Sequence, residues 1–393
     1  MLYLAGIIIT FFLAILLTGK RNKTRADRIL IVWLCAIAFH LLLFYLFITG
    51  QIYNYPALLG IHPPYPLIHG PFLFLYTAEL TRQYPKKRMT WLLHFLPVII
   101  LYLFIIPFFS LSSAEKINVY RNKGAGYEPL IQVCVISIAV SGIAYVTASL
   151  FLLRRYRMSI EDEFSNIEKI NLAWLRYLIY GIAAIWIVVI FGNDSIVFGA
   201  AVLFVFFLGY FGIRQTGIFT LVHPQSHQLQ TLPAEEMPKE SNAPFYQEAP
   251  GEEANKPEIA PISPKIKYEK SGLGEEQATK MYKLLAGCMT DQKPFVDSEI
   301  TLAALARTLE VHPNHLSQVI NSYEGKNFYD YINFHRVEEF KKLAPLPDNR
   351  NYTLLSLAYE CGFNSKTSFN RNFKKVTGIS PSEYLQQLHI SLK

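Results

Sequence analysis

TLLSLAYECGFNSKTSFNRNFKKVTGISPSEY, residues 353–384, decides how the chain is read, because it spells a short helix, a tight turn and a second helix with two different faces. Leu354, Leu357, Ala358 and Cys361 recur at i, i+3, i+4 and i+7, one apolar stripe of a 3.6-period helix, and Thr353 stands where an N-cap belongs. Gly362 supplies the stop. Ser365 caps the next helix, in which Phe369 and Phe373 share a core face while Lys366, Thr367, Asn370, Arg371 and Lys374 share the opposite one. Lys and Arg neutralise phosphates or fork onto guanine, Asn pairs with adenine, and Thr meets a base or a thymine methyl. An isolated helix of this kind is more often only a solvated amphipathic helix. A repeat changes the balance: at an offset of 52 residues Thr301, Leu302, Leu305, Ala306 and Leu309 match Thr353, Leu354, Leu357, Ala358 and Cys361. Beyond the turn Leu316 and Ile320 match Phe369 and Phe373, and Asn314, Ser317 and Gln318 match Thr367, Asn370 and Arg371. Two helix-turn-helix units are expected, at about 301–321 and 353–375.

The stretch from about Lys293 to Gln387 resembles the DNA-binding domain of AraC/XylS-type transcription regulators. Gly362, Phe363, Phe369, Asn370, Arg371, Phe373, Lys374, Lys375, Gly378, Pro381 and Tyr384 carry the signature, with Arg336 on the helix that joins the two units. His312 replaces the more usual Ser at a cap, and Leu385 stands where the family often has Arg. The resemblance implies about seven helices, reading helices in successive major-groove segments, promoter DNA and RNA polymerase as partners, and a homodimer as one option. It also implies DNA contacts from Asn314, Ser317, Gln318, Lys366, Thr367, Asn370, Arg371 and Lys374. Arg336 is expected as a structural ion-pair partner rather than a base reader.

Composition points elsewhere for the rest of the chain. Of its 393 residues 51% are hydrophobic, 14% aromatic and only 17% charged, too apolar for two or three soluble domains. The apolar residues concentrate before about residue 215. Spans are expected at Leu2–Thr18, Ile29–Ile48, Pro66–Leu80, Trp91–Phe109, Leu130–Leu153, Ala173–Phe191 and Ile196–Ile213, making an all-α, seven-helix transmembrane domain over 1–214. Leu2–Thr18 lacks the basic start and small-residue cleavage site of a signal peptide. Lys20, Arg21, Lys23, Arg25 and Arg28, then Arg82, Lys86, Lys87 and Arg88, then Arg154, Arg155, Arg157 and Lys169 follow alternate spans, whereas the opposite loops hold Lys116, Arg121 and Lys123. The positive-inside rule then places the amino terminus outside and, with an odd span count, the carboxyl-terminal domain in the cytoplasm of a bacterium.

His40, His69, His94 and Glu79 are expensive in hydrocarbon unless they face the bundle interior. His40 and His69 suggest a pocket for an unidentified signal ligand, with satisfied packing contacts the commoner reading, and Glu79 and His94 are expected to pair. From 223 to 272 the chain turns to Pro, Glu, Lys, Ser and Gln and reads as a disordered tether, through which no rigid push can travel. A loose tether favours signalling by clustering of the bundles or by proteolytic release. Order resumes at Glu275, opening a DNA-binding domain over 275–393.

Cys35, Cys134, Cys288 and Cys361 form no CxxC pair and share no metal-ligand spacing with His, so neither zinc nor a disulfide framework is expected. No phosphate loop, zincin motif or nucleophile elbow is present, so neither an enzyme nor a cofactor is expected. The function expected is a membrane-bound, sequence-specific transcription regulator in contact with lipid and double-stranded DNA. The rivals are a transporter or membrane enzyme with a regulatory DNA-binding domain, and a constitutive regulator merely anchored to the membrane.

Overall fold

A computed structural model of the chain describes residues 2–84, 88–214 and 273–388. The predicted tether at 223–272 lies outside these residues. The described chain is helical, its one β contact an isolated bridge between Phe164 and Thr301. It divides into two compact units, Met1–Met158 with Asn171–His223, and Ser159–Ile170 with Pro224–Lys393.

The first unit holds α1 (Leu2–Thr18), α2 (Arg25–Ile48), α3 (His69–Leu80), α4 (Leu96–Phe109), α5 (Ser113–Arg121), most of α6 (Glu128–Glu163), α7 (Ala173–Phe191) and α8 (Asp194–Arg214). A capping box opens α2: the Thr24 hydroxyl accepts from Asp27 N at 3.1 Å, and Thr24 N donates to the Asp27 carboxylate at 2.7 Å. Lys20 closes on that carboxylate at 2.9 Å, so one of the expected basic loop residues is consumed in a buried pair. Trp33, Leu34, Leu73, Tyr76, Leu175 and Ile179 lie at the centre of the packing. Outside it, Ile8, Phe11, Ile15, Leu103, Phe104, Ile136 and Ile143 are exposed, a surface that suits hydrocarbon and not water. Close helix approach is bought by Gly142, where any Cβ would strike the ring of Trp186.

The expected seven spans are not formed. Among the described residues four helical stretches are long and apolar enough to cross a membrane: Arg25–Ile48, Thr90–Phe109, Glu128–Glu163 and Ala173–Phe191. The span predicted at Pro66–Leu80 fails because Tyr65–Ile68 is a single 3-10 turn that contains Pro66 and follows Pro63 and Pro64, residues that lack amide donors. The α-helix proper, His69–Leu80, has 12 residues, about 18 Å against a hydrocarbon core of about 30 Å. Leu2–Thr18 and Asp194–Gly209 are apolar but shorter than the others. The seven-span bundle, and the odd-count argument built on it, are therefore corrected to four candidate spans. The expected Glu79–His94 pair is also replaced, since His94 Nδ1 lies 3.0 Å from the Tyr145 hydroxyl.

The second unit holds α9 (Glu275–Asp291), α10 (Leu302–Thr308), α11 (Pro313–Glu324), α12 (Phe328–Leu343), α13 (Leu354–Glu360), α14 (Lys366–Thr377) and α15 (Pro381–Gln387). Side chains of Thr301, His312, Asn327, Thr353, Ser365 and Ser380 each accept from an amide of the helix they precede. Pro313 follows the His312 cap at the first helical position. Gly325 and Gly378, both left-handed, end α11 and α14. Leu305, Leu316 and Ile320 build one core and Leu357, Phe363, Phe369 and Phe373 another. α12 serves both, giving Phe328, Tyr331 and Ile332 to the first and Val337 and Phe340 to the second.

Candidate functional site

In α14 Phe369 and Phe373 are fully buried, while Lys366, Thr367, Asn370, Arg371 and Lys374 are exposed. On α11 Asn314 is exposed and Ser317 and Gln318 are half-buried, with Leu316, Val319 and Ile320 inside. The residues singled out from sequence thus stand on the outer sides of two helices whose inner sides make separate cores.

The more basic helix is anchored in a way sequence reasoning missed. Arg371 Nη2 and Asn372 Nδ2 both donate to the hydroxyl of Tyr329 on α12, each at 2.7 Å, and Lys375 pairs with Asp330 at 2.6 Å. Tyr329 gave no sequence signal, because its role depends on α12 and α14 lying side by side. Asn372 is buried and positions Tyr329 from beneath, so the ends of α14 and α12 are stitched together at two points.

Arg336 is 2% exposed, and among the described residues no carboxylate pairs with it directly. Its Nε donates to Phe295 O at 2.7 Å and its Nη2 to Asp297 O at 2.8 Å; Nη1 donates to Asn333 Oδ1 at 3.2 Å. The expected ion pair is replaced by a fork onto backbone carbonyls. Burial lowers its pKa from 12.5 to about 10, so the guanidinium keeps its proton at neutral pH. Cys361, buried in the second core, has its thiol pushed up to about 12 by desolvation and is a packing residue.

Residues Ser159–Ile170 also lie on this unit. Ser165 N donates to Ile300 O at 3.3 Å beside the Phe164–Thr301 bridge, and Ser165 O accepts from Asn333 Nδ2 at 3.1 Å. Asn166 Nδ2 donates to Glu299 Oε1 at 2.8 Å. The hydroxyl of Ser365, the cap of α14, donates to Glu168 Oε2 at 2.6 Å.

Residues 305–387 match the family model described as a helix-turn-helix domain. The region is 32% identical over 91 residues to the uncharacterized HTH-type transcriptional regulator YtdP of Bacillus subtilis, covering 23% of this chain and 11% of that protein. It is 34% identical over 95 residues to the uncharacterized HTH-type transcriptional regulator YijO of Escherichia coli, covering 24% of this chain and 32% of that protein. The transcriptional regulatory protein HptR of Staphylococcus aureus is 25% identical over 95 residues, 24% of this chain and 36% of that protein. The matched region thus spans about a third or less of these relatives, and no solved structure matches the chain. The chain carries a DNA-binding helix-turn-helix domain of the regulator type, a non-catalytic class, together with several helices fit to cross a membrane.

The first unit contains a cavity of about 560 Å³ lined among others by Trp33, His40, His62, His69, Trp186 and Phe198. His40 Nδ1 and His69 Nε2 are 2.9 Å apart, and Trp33 Nε1 donates to His69 Nδ1 at 3.2 Å. The two histidines that sequence placed together are in contact; His62, which lies between the expected spans Ile29–Ile48 and Pro66–Leu80, joins them with its ring 5.2 Å from that of His40. Among the described residues no three His, Cys, Asp or Glu are grouped to hold a metal ion.

Proposed function

We propose that the chain is a membrane-embedded transcription regulator of bacterial type, reading DNA through α11 and α14 and taking its signal in the cavity around His40 and His69. The observation that carries it is the face of α14: five polar or basic side chains stand exposed on a helix whose other face is locked into a core. The signature residues from Gly362 to Tyr384 support placing the domain in the AraC/XylS group, with RNA polymerase and a second copy of the chain as partners on the promoter. Arg154, Arg155 and Arg157 near the end of α6 favour a cytoplasmic location for that end and for the domain.

Genome-wide mapping of DNA crosslinked to the full chain tests the reading. Discrete promoter peaks are expected, with Arg371→Ala weakening binding to a recovered site by about 1–3 kcal/mol and relaxing one base position. Equal loss on all sequences would make Arg371 a phosphate clamp instead. Absence of peaks would remove the DNA-reading function altogether.

A further inference from the structure

The histidine contacts fix where protons lie. An indole N–H only donates, so His69 Nδ1 must be its acceptor, and the proton of a neutral His69 sits on Nε2. That N–H faces His40 Nδ1, which must accept, leaving the His40 proton on Nε2. His40 is 9% exposed and its Nε2 finds no partner among the described residues; neither does Nε2 of His62 beside it. A buried N–H without an acceptor is costly, and this one lies on the wall of a largely apolar cavity. We propose that the cavity binds an apolar molecule ending in a carbonyl-type acceptor, an acyl chain with a carboxylate, ester or amide head, whose oxygen accepts from His40 Nε2. Phe198 and Trp186 flank the chain portion, and the relay from Trp33 through His69 holds His40 in the donating tautomer.

This inference rests on the sensing role of the cavity but is tested by binding alone. The full chain in nanodiscs of ether-linked lipid is titrated with bromododecanoic acid, and quenching of Trp33 and Trp186, both on the wall, is followed. Saturable quenching is expected, with His40→Leu weakening it at least tenfold and His40→Gln, which keeps an N–H donor, retaining it within threefold. Bromododecane, lacking the acceptor, is expected to give only non-saturable partitioning. Equal behaviour of His40→Leu and the natural chain, or saturable binding of bromododecane, overturns the assignment. Repeating the titration in ester-linked lipid separates the sources: weakened binding identifies the membrane lipid's own carbonyl as occupant, unchanged binding a free acyl compound. A site that binds but whose loss leaves promoter output unaltered would keep this inference and refute sensing.

A second inference comes from a different place. Ser159–Ile170 carries Glu161, Asp162, Glu163 and Glu168 against Lys169, whereas α14 carries Lys366, Arg371, Lys374 and Lys375 and no acid. Glu168 sits on the Ser365 cap of α14, the positive end of the helix and adjacent to Lys366, where a DNA phosphate is expected to lie. Ser165 meanwhile fills the remaining reach of Arg336, its Oγ 3.2 Å from Nη2. Glu168 Oε1, however, is buried without a partner among the described residues, so the seat contains one uncompensated acceptor and is suited to release. We infer that this acidic segment is a built-in competitor of DNA, docked on the reading unit at rest and displaced when DNA binds.

An engineered crosslink tests it on the full chain. Phe164 and Thr301 face each other in an antiparallel bridge, a spacing that suits a disulfide. Phe164→Cys with Thr301→Cys is expected to oxidise readily in nanodiscs and to lower affinity for a random-sequence 30-base-pair duplex at least tenfold, with reductant restoring it. Asn166→Ala with Glu168→Ala is expected to raise that affinity at least fivefold. Failure to crosslink, equal affinity of the oxidised and reduced forms, or weaker binding by the alanine pair overturns the inference. Crosslink formation with no DNA binding in either redox state would instead refute the DNA-reading function and the competition with it.

Discussion

Arg336→Ala is expected to unfold the reading domain while leaving the membrane helices inserted. The guanidinium is buried and forks onto Phe295 O and Asp297 O, carbonyls in the turn that leads into α10. Removing it orphans both acceptors, frees Ser165 and Asn333 of a donor, and leaves a void the size of the side chain. Each buried carbonyl left without its donor costs about 1–3 kcal/mol, so losing both consumes a large part of the roughly 5–15 kcal/mol that holds a domain together. Limited proteolysis of the full chain in nanodiscs reads it directly: cleavage within 294–346 should accelerate by two to three orders of magnitude, with the bundle still protected. Arg336→Lys is expected to recover little, because an ammonium cannot bridge two carbonyls in one plane. Undiminished protection in the alanine variant would show that the carbonyl clamp is dispensable.

The second large effect is expected at Gly362. Its φ of +92° is a region L side chains rarely adopt, and a Cβ there would strike Phe295 O and come within 2.8 Å of Val296 O. Strain of roughly 1–2 kcal/mol adds to a clash with backbone that cannot swing away. Gly362→Ala should therefore cost more than about 3 kcal/mol, seen as loss of the domain's cooperative melting transition. Gly378→Ala offers the contrast: it shares the left-handed conformation, φ +84°, but has open space around it, so only the strain should register. Arg336 and Gly362 converge on the same carbonyl, that of Phe295. The turn at Phe295–Asp297, which precedes the first helix-turn-helix pair, is thereby held by residues of α12 and of the second pair.

What could be read from sequence follows from locality. The caps at Thr301, Thr353 and Ser365, the apolar stripes and the turn glycine depend on neighbours three or four residues away, and each is visible in a window of ten. The acceptors of Arg336 are not, because they are backbone atoms of residues some 40 positions away and have no side-chain signature. The span count failed for a related reason. Hydropathy registers that 66–80 is apolar but not that prolines cut its helix to His69–Leu80. Ser159–Ile170 was read as a loop between spans, and its acidity was masked by the preceding arginines; only its bonds to Ile300, Asn333 and Ser365 disclose where it belongs. His40 and His69 draw notice as polar residues inside apolar stretches, whereas His62 lies between Ile48 and Pro66, outside any expected span.

The Tyr329 hydroxyl beneath Arg371 carries a thermodynamic consequence. A free arginine surrenders up to about 2 kcal/mol of rotamer freedom when it is immobilised on a base edge. Arg371 has already given up part of this to the fold, since one terminal nitrogen is tied to Tyr329 at 2.7 Å before any DNA arrives. Tyr329→Phe would restore that freedom, so association with DNA should become entropically costlier.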